Sequence, residues 1–117
     1  MHFTPVHITN AEHYTWGQGC GGWHLLRSAE LSVIQEKMPP HTSEVMHYHA
    51  KARQFFFVLS GNLDIVLGAN SVRLAAKHGL EIAPGTPHQV RNDADEDAVF
   101  LVISQPPSHA DRHNPVP

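Results

Sequence analysis

The sequence has little charge and almost no cysteine. One cysteine, Cys20, stands among 117 residues, so no disulfide can form within the chain. Charged residues make up 16%, the 8 Lys and Arg are scattered, and the formal net charge is −3. A protein that binds a phosphate backbone normally concentrates cationic charge on one face. We therefore expect neither nucleic acid nor an anionic membrane as a partner.

Long hydrophobic runs are also missing. Nothing approaches the 18 or so consecutive apolar residues that a membrane-spanning helix needs. The first ten residues, MHFTPVHITN, have neither the basic start nor the apolar stretch of a signal peptide. These absences predict a cytoplasmic protein.

Hydrophobic residues, in contrast, make up 41% of the chain, which argues against intrinsic disorder. The length fits one domain over residues 1–117. We expect its core at about residues 23–104. The Pro-rich, polar segment 105–117 should be a tail, either loose or docked.

The apolar residues occur in short runs separated by Gly, Pro, Asn and Asp, which favours an all-β sandwich or barrel. Residues 50–53 and 74–77 could each hold a helical turn. The predicted strands are Trp23–Ser28, Leu31–Met38, Glu44–His49, Gln54–Leu59, Asn62–Leu67, Ser71–Ala75, Leu80–Ala83, His88–Asn92 and Ala98–Ser104.

Histidine is the over-represented residue, with 11 copies. His47 and His49 flank Tyr48, and alternation along a strand puts both on one face, with Cα atoms roughly 6.5–7 Å apart. Two imidazoles at that spacing can bind one metal ion. Two hydrogen-bonded histidines lining a barrel would show the same pattern, so the pair alone is a weak signal.

The flanking residues strengthen this interpretation. Gln54 opens an apolar strand five residues after His49. Further on, the turn Pro84-Gly85-Thr86-Pro87 leads into a strand that begins with His88. A rigid turn fixes the direction of the side chain that follows it, as a metal ligand requires.

Together these two segments resemble the paired motifs of the cupin superfamily. The first motif is matched by His47, His49 and Gly61, and the second by Gly85, His88 and Asn92. The resemblance covers residues 38–92 and implies a cupin-type β-barrel, that is, a jelly roll or double-stranded β-helix.

Four positions depart from the family pattern. His41 and Lys77 stand where the motifs open with Gly, and Ala83 stands where the second motif has Pro. We expect these three changes to be absorbed by the turns. Gln54 stands where the family has Glu, and this change bears on chemistry.

The predicted metal ligands are His47, His49, Gln54 and His88. They would hold one divalent transition metal, namely Fe, Mn, Ni, Co, Cu or Zn. An amide oxygen adds no negative charge, so the ion should be a stronger Lewis acid than in a site with Glu. Gln54 could instead contact the ion through a water molecule, or have a structural role.

The resemblance implies a small organic substrate or ligand, because related proteins include dioxygenases, isomerases, epimerases and decarboxylases. Other members only bind or store small molecules, and fold does not choose between an enzyme and such a binding or sensing module. A third possibility is a barrel with structural histidines and no metal. The resemblance also implies a homodimer, in which Phe3–Ile8 could form an exchanged strand.

Further residues have weaker indications. His41 could be an extra ligand or a proton shuttle. Cys20, in a glycine-rich segment, could belong to a loop over the barrel mouth, although a buried, unreactive thiol is the stronger interpretation. Trp16 and Trp23 should lie in the core or at a dimer interface.

Overall fold

The structure is a computed structural model, and it describes residues 3–115. It contains ten strands and, within residues 3–115, no helix, so neither of the two helical turns that the sequence allowed is formed. The strands are β1 (Glu12–Trp16), β2 (Cys20–Arg27), β3 (Ser32–Met38), β4 (Thr42–Ser43), β5 (Arg53–Ser60), β6 (Leu63–Leu67), β7 (Asn70–Leu74), β8 (Gly79–Ile82), β9 (Gln89–Asn92) and β10 (Ala98–Gln105).

The strands form two antiparallel sheets. Six strands are ordered β1-β2-β3-β10-β5-β8, and four are ordered β4-β9-β6-β7. The inward side chains of both sheets meet in one apolar core, as in a jelly roll, so the predicted all-β cupin-type fold is confirmed. The two sheets do not join into a closed hydrogen-bonded barrel. No helix in the described part of the chain is long and apolar enough to span a membrane.

Two central strands explain how the core and the site share the same scaffold. β5 and β10 pair antiparallel, with Phe100 opposite Val58 and Ser104 opposite Gln54. Alternation buries one side of each strand, so these four side chains point inward. The inward row therefore changes from apolar at one end of the sandwich to polar at the other.

The predicted strand over Glu44–His49 is wrong in its bounds. The regular strand, β4, covers only Thr42–Ser43. His47 then pairs with His88, and Tyr48 pairs with the C-terminal segment, each as an isolated bridge. Because successive residues pair with different segments, no continuous ladder forms here.

Within the single chain, Phe3–Ile8 forms no strand, and its proposed exchange between the two chains of a dimer stays a prediction. The first strand is β1, which the sequence analysis missed. It pairs with β2 through a tight turn in which Gly17 and Gly19 have positive φ of 54° and 80°. Glycine adopts this backbone region at little cost, so the Gly-Gln-Gly sequence was the signal for this hairpin.

Two of the departures from the cupin motifs keep a glycine-like backbone. His41 and Lys77, which replace the opening glycines, have φ of 59° and 70°. Non-glycine residues rarely adopt this left-handed region. His41 and Lys77 therefore occupy these two turns in the backbone conformation that glycine adopts most readily.

Candidate metal centre

Three buried histidines converge at the polar end of the sandwich. His47, His49 and His88 each present a ring nitrogen, and these ligand atoms lie within 4.8 Å of one another. Their ring centroids are 4.6–5.6 Å apart. One ion with metal–nitrogen bonds of about 2.0–2.1 Å is within reach of all three after small ring rotations.

Backbone carbonyl groups fix the orientation of every ring. The Nδ1 atoms of His47, His49 and His88 each lie 2.8 Å from a carbonyl oxygen, of Val45, Asp111 and Thr86 respectively. A carbonyl oxygen can only accept, so each Nδ1 carries the proton and each Nε2 keeps its lone pair. Metal-binding histidines are commonly held in this way.

Burial also keeps the three rings neutral. Desolvation lowers the pKa of His47 to about 4, and it lowers the pKa of His49 and His88 as well. In each case the hydrogen bond to a carbonyl oxygen opposes this decrease without cancelling it. The rings are therefore available as ligands at neutral pH, because only neutral imidazole binds a metal.

Four buried side-chain polar atoms lack a partner among residues 3–115, namely Trp16 Nε1, His24 Nδ1, Gln54 Oε1 and His88 Nε2. The last two belong to predicted metal ligands. Gln54 is held by its amide nitrogen, which donates to the hydroxyl oxygens of Ser104 at 3.0 Å and Ser108 at 3.4 Å. A buried polar atom left unpaired is costly. A nitrogen and an oxygen that both lack partners beside two further imidazoles fit a divalent transition metal.

The histidines border a cavity of about 580 Å³ between the two sheets. His47, His49 and Gln54 line one part of it. Much of the remaining wall is apolar and includes Trp16, Ile34, Val45, Phe56 and Val102. A volume of this size accommodates a small organic molecule.

A tyrosine and a carboxyl group line the same cavity. Gly22 on β2 lies between them, because it pairs with Tyr14 on β1 and with Glu36 on β3. A Cβ on Gly22 would clash with the end of the Tyr14 ring, so a larger residue there would displace Tyr14. The Tyr14 hydroxyl donates to Glu36 at 2.9 Å. Burial raises the pKa of Glu36 to about 7 and also raises the pKa of Tyr14.

The C-terminal segment 106–113, here called the strap, closes one side of the site. The carboxylate of Asp111 accepts backbone N–H groups of Ala50, Lys51 and Ala52 at 2.8–3.0 Å. These bonds, that from Lys51 first, hold the pKa of Asp111 well below its usual range. Its carbonyl oxygen binds His49 Nδ1. The strap is therefore docked, and it orients one of the three histidines.

The residues with weaker indications lie outside the histidine cluster. His41 is exposed and lies 3.0 Å from Asp95, so it is not a further ligand in this structure. Cys20 is buried in the core, where desolvation raises its pKa. Trp16 packs against the core, whereas Trp23 stacks on His13 on the outer face.

Sequence reasoning did not find Tyr14, Glu36, Glu44, Ser108 or Arg112, all of which line the cavity. Tyr14 lies on the missed strand β1, and the last two lie on the strap. Glu36 carried a signal, since a lone carboxylate on the inward face of a strand is unusual. The alternation in β3 places it on the side of Met38.

The fold and the histidine cluster together define the family. The chain matches the model of the cupin domain family over residues 34–104. That span is more than half of the 117 residues, and the chain therefore belongs to the cupins.

The named proteins to which the chain is similar include two isomerases and a cyclase. The chain is 30% identical over 91 residues to H2HPP isomerase of Bacillus subtilis. The aligned region covers 77% of this chain. The chain spans only 38% of the length of that protein. Among solved structures, the polyketide cyclase RemF of Streptomyces resistomycificus has a TM-score of 0.83 at 17% identity, covering 99% of this chain and 87% of RemF. A sugar phosphate isomerase of Silicibacter pomeroyi has a TM-score of 0.74 at 19% identity, covering 86% and 74%. At such identities these two structures support the fold alone.

Proposed function

We propose that the chain is a metal-dependent enzyme that moves a proton within a small organic molecule, as an isomerase does. The ligands would be the Nε2 atoms of His47, His49 and His88, with Gln54 Oε1 as an oxygen donor. The observation that carries the proposal is that backbone carbonyl groups hold all three Nδ1 atoms, which leaves the three Nε2 lone pairs free in a cluster whose ligand atoms lie within 4.8 Å of one another. Without a metal, this arrangement leaves His88 Nε2 buried and unpaired.

The donor set favours a transition metal over Mg²⁺ or Ca²⁺. Three imidazoles suit Fe, Mn, Co, Ni, Cu or Zn, whereas the harder ions need several oxygen ligands. A divalent ion bound there would polarise a substrate oxygen and stabilise negative charge on it. The protein's own part is to present neutral donors in an enclosed space with an apolar wall.

Proton transfer is supported by the pair Tyr14–Glu36. A general acid or base works best when its pKa is near the working pH, and burial brings that of Glu36 to about 7. Glu36 can take a proton from a carbon acid in the cavity and return it elsewhere, while Tyr14 donates to its carboxylate. The isomerase among the relatives agrees with this chemistry. Because the cavity holds an acid–base pair of this kind, we place isomerisation before dioxygenation.

The outer face of the six-stranded sheet supports the expectation of a homodimer. Outward side chains on β2, β3, β5 and β10 form an apolar surface, in which Phe55 is 40% exposed and Leu26 is 45% exposed. Contiguous apolar surface of this kind is typical of protein–protein interfaces. The members are Trp23, Leu26, Val33, Phe55, Phe57, Leu101 and Ile103. Light scattering should give the mass of two chains for the native protein, and Phe55→Glu should shift it toward one.

Metal content is the first test of the proposed function. Protein purified without added metal or chelator should contain about one equivalent of a transition metal per chain, measured by plasma mass spectrometry. No metal, and none taken up on reconstitution, would contradict the site.

Proton transfer has a separate test. The metal-loaded protein should exchange C–H hydrogens next to the carbonyl group of small 2-oxo acids for deuterium from D2O, followed by NMR. Exchange should stop after chelation and in Glu36→Gln, while His78→Ala, an exposed histidine outside the cluster, should exchange normally. Stoichiometric metal without exchange of any tested acid would favour the binding or sensing module.

A further inference from the structure

The strap places a cation at the cavity whose hydrogen-bonding capacity is mostly unused. A guanidinium group carries five N–H donors. Among residues 3–115, Arg112 makes one long hydrogen bond, from Nη2 to the carbonyl oxygen of Val45 at 3.4 Å. Its Nη1 lies 4.0 Å from Glu44 Oε2, which is too far for a hydrogen bond. About half of the side chain is exposed, at 48%.

The backbone of Arg112 is nevertheless fixed on both sides. Asp111 is tied to the 50–52 loop by three hydrogen bonds. His113 exchanges two backbone hydrogen bonds with Tyr48, at 2.9 and 3.0 Å. A guanidinium carried between two anchored residues loses less freedom when it binds a ligand than one on a mobile tail.

The second arginine of the cavity behaves differently. Arg27 donates to both carboxylate oxygens of Glu12, at 2.7 and 3.1 Å. Its charge is therefore already compensated. The carboxylate nearest to Arg112 has other contacts, since Glu44 Oε1 accepts from Val90 N at 3.3 Å and lies 3.8 Å from His47 Nδ1.

Arg112 also lies close to the histidine cluster. After burial and the carbonyl hydrogen bond, its positive charge further lowers the pKa of His47. The same field acts on His49 and His88. None of the proposed metal ligands carries a negative charge. Glu44, at 4.0 Å, is the carboxyl group that shares the charge of Arg112 without a hydrogen bond. Four neutral donors for a divalent ion beside a guanidinium with free N–H groups favour a ligand that carries an anionic group.

We propose that Arg112 recognises a carboxylate group of the substrate, whose apolar body rests against the wall formed by residues such as Trp16 and Phe56. This inference rests on the proposed function, because the substrate would lie between Arg112 and the metal. A planar carboxylate matches the fork of the guanidinium and can accept two parallel hydrogen bonds. The strap would thus determine specificity as well as orient His49.

The test uses simple probes on the Co²⁺-loaded full chain. Benzoate and phenylacetate carry a carboxylate on an apolar body, and benzamide and phenylacetamide are their neutral counterparts. Calorimetric titration should show that each acid binds at least tenfold more tightly than its amide. Arg112→Gln should lower the affinity for both acids at least tenfold and leave the affinity for Co²⁺ unchanged.

Two variants control for charge alone. Arg27→Gln removes a positive charge from the same cavity and should change the affinity for the acids less than threefold. Arg91→Gln removes a half-buried arginine that is paired with Asp93 and does not line the cavity, and it should have no effect. Equal losses in Arg27→Gln and Arg112→Gln would mean that the cavity attracts anions without a defined subsite.

The remaining outcomes separate the two proposals. Acids and amides binding equally, no binding of either acid, or full affinity in Arg112→Gln would each overturn the carboxylate subsite while leaving the metal centre intact. Tighter binding of phenyl phosphate than of both acids would assign the subsite to phosphate and also overturn it. Failure of Co²⁺ to bind would instead overturn the metal centre, and the Arg112→Gln contrast would then be measured on the metal-free protein.

Discussion

The two ends of the sandwich are built on the same strands and serve opposite purposes. At the packed end, inward side chains such as Met38, Val58, Leu63 and Phe100 are fully buried among one another. At the open end, the same rows continue into Gln54 and other polar groups around a cavity. Phe56 lies at the boundary, with its ring 6.2 Å from that of Phe100 and 6.1 Å from that of His88. Stability should therefore reside at one end and ligand chemistry at the other.

The largest expected effect comes from the packed end. Phe100→Ala removes a side chain with no exposed surface and should lower the free energy of unfolding by about 3–5 kcal/mol. Urea unfolding of the metal-free protein measures this loss. The fraction that remains folded should still bind one metal ion per chain, and loss of metal binding by folded protein would show that the two ends are not separable.

At the open end, His88→Ala should reduce metal affinity by more than the roughly 10–100-fold that loss of an outer-shell partner causes. The metal-free variant should unfold at nearly the same urea concentration, because the deletion also removes an unpaired buried nitrogen. Competition with a chromophoric chelator gives the affinity, and His78→Ala is the matched control. A variant that keeps its metal would exclude His88 as a ligand.

Gln54→Glu adds a negative charge beside the proposed ion and should tighten metal binding by about tenfold, or about 1.4 kcal/mol. The hydroxyl groups of Ser104 and Ser108, which accept from the amide, can rotate to donate to a carboxylate. The same chelator competition measures the change. Unaltered affinity would place Gln54 outside contact with the ion.

The smallest effect concerns a group that should cost stability at the open end. Burial raises the pKa of Glu36 from its ordinary value of 4.5 to about 7, despite the opposing influence of Tyr14 and Arg112. Below pH 4.5 the carboxyl is protonated in both states. As the pH rises, the unfolded chain ionises first, so stability falls until the folded pKa is passed.

Glu36→Gln should therefore unfold at the same temperature as the parent near pH 4. Near pH 8 it should unfold a few degrees higher, by about 5 °C. Calorimetry of the metal-free proteins measures the two unfolding temperatures. Glu44 is present in both proteins, and its own pKa is raised by burial and then by Glu36. A variant that is less stable than the parent at pH 8 would show that the carboxylate is stabilising.

The sequence predicted the two ends unequally, for physical reasons. The packed end follows from the continuous apolar runs of β5 and β10, which indicate buried strands. Those runs do not show that only one side of each strand is buried, as the structure finds. His47 and His49 were accessible through their spacing in the sequence, and His88 through the Pro84–Pro87 turn that precedes it. Arg112 could not be predicted as a cavity residue. Its position depends on the hydrogen bonds between Asp111 and backbone N–H groups far away in the sequence, and no local sequence pattern indicates them. The strand argument predicted that His47 and His49 lie together, as the structure places them, but through a regular strand that the structure does not contain.

The strap also sets an order of events during synthesis. His49 is oriented by a carbonyl group 62 residues later in the chain. While a growing chain emerges from the ribosome, the sheets can begin to pair before Asp111 exists. In that interval His49 can rotate freely, and a passing metal ion would meet an incomplete set of ligands. The proposed ion would therefore be selected only after the sandwich has formed, so that the metal available to the finished protein, and not to the nascent chain, would determine the occupancy of the site.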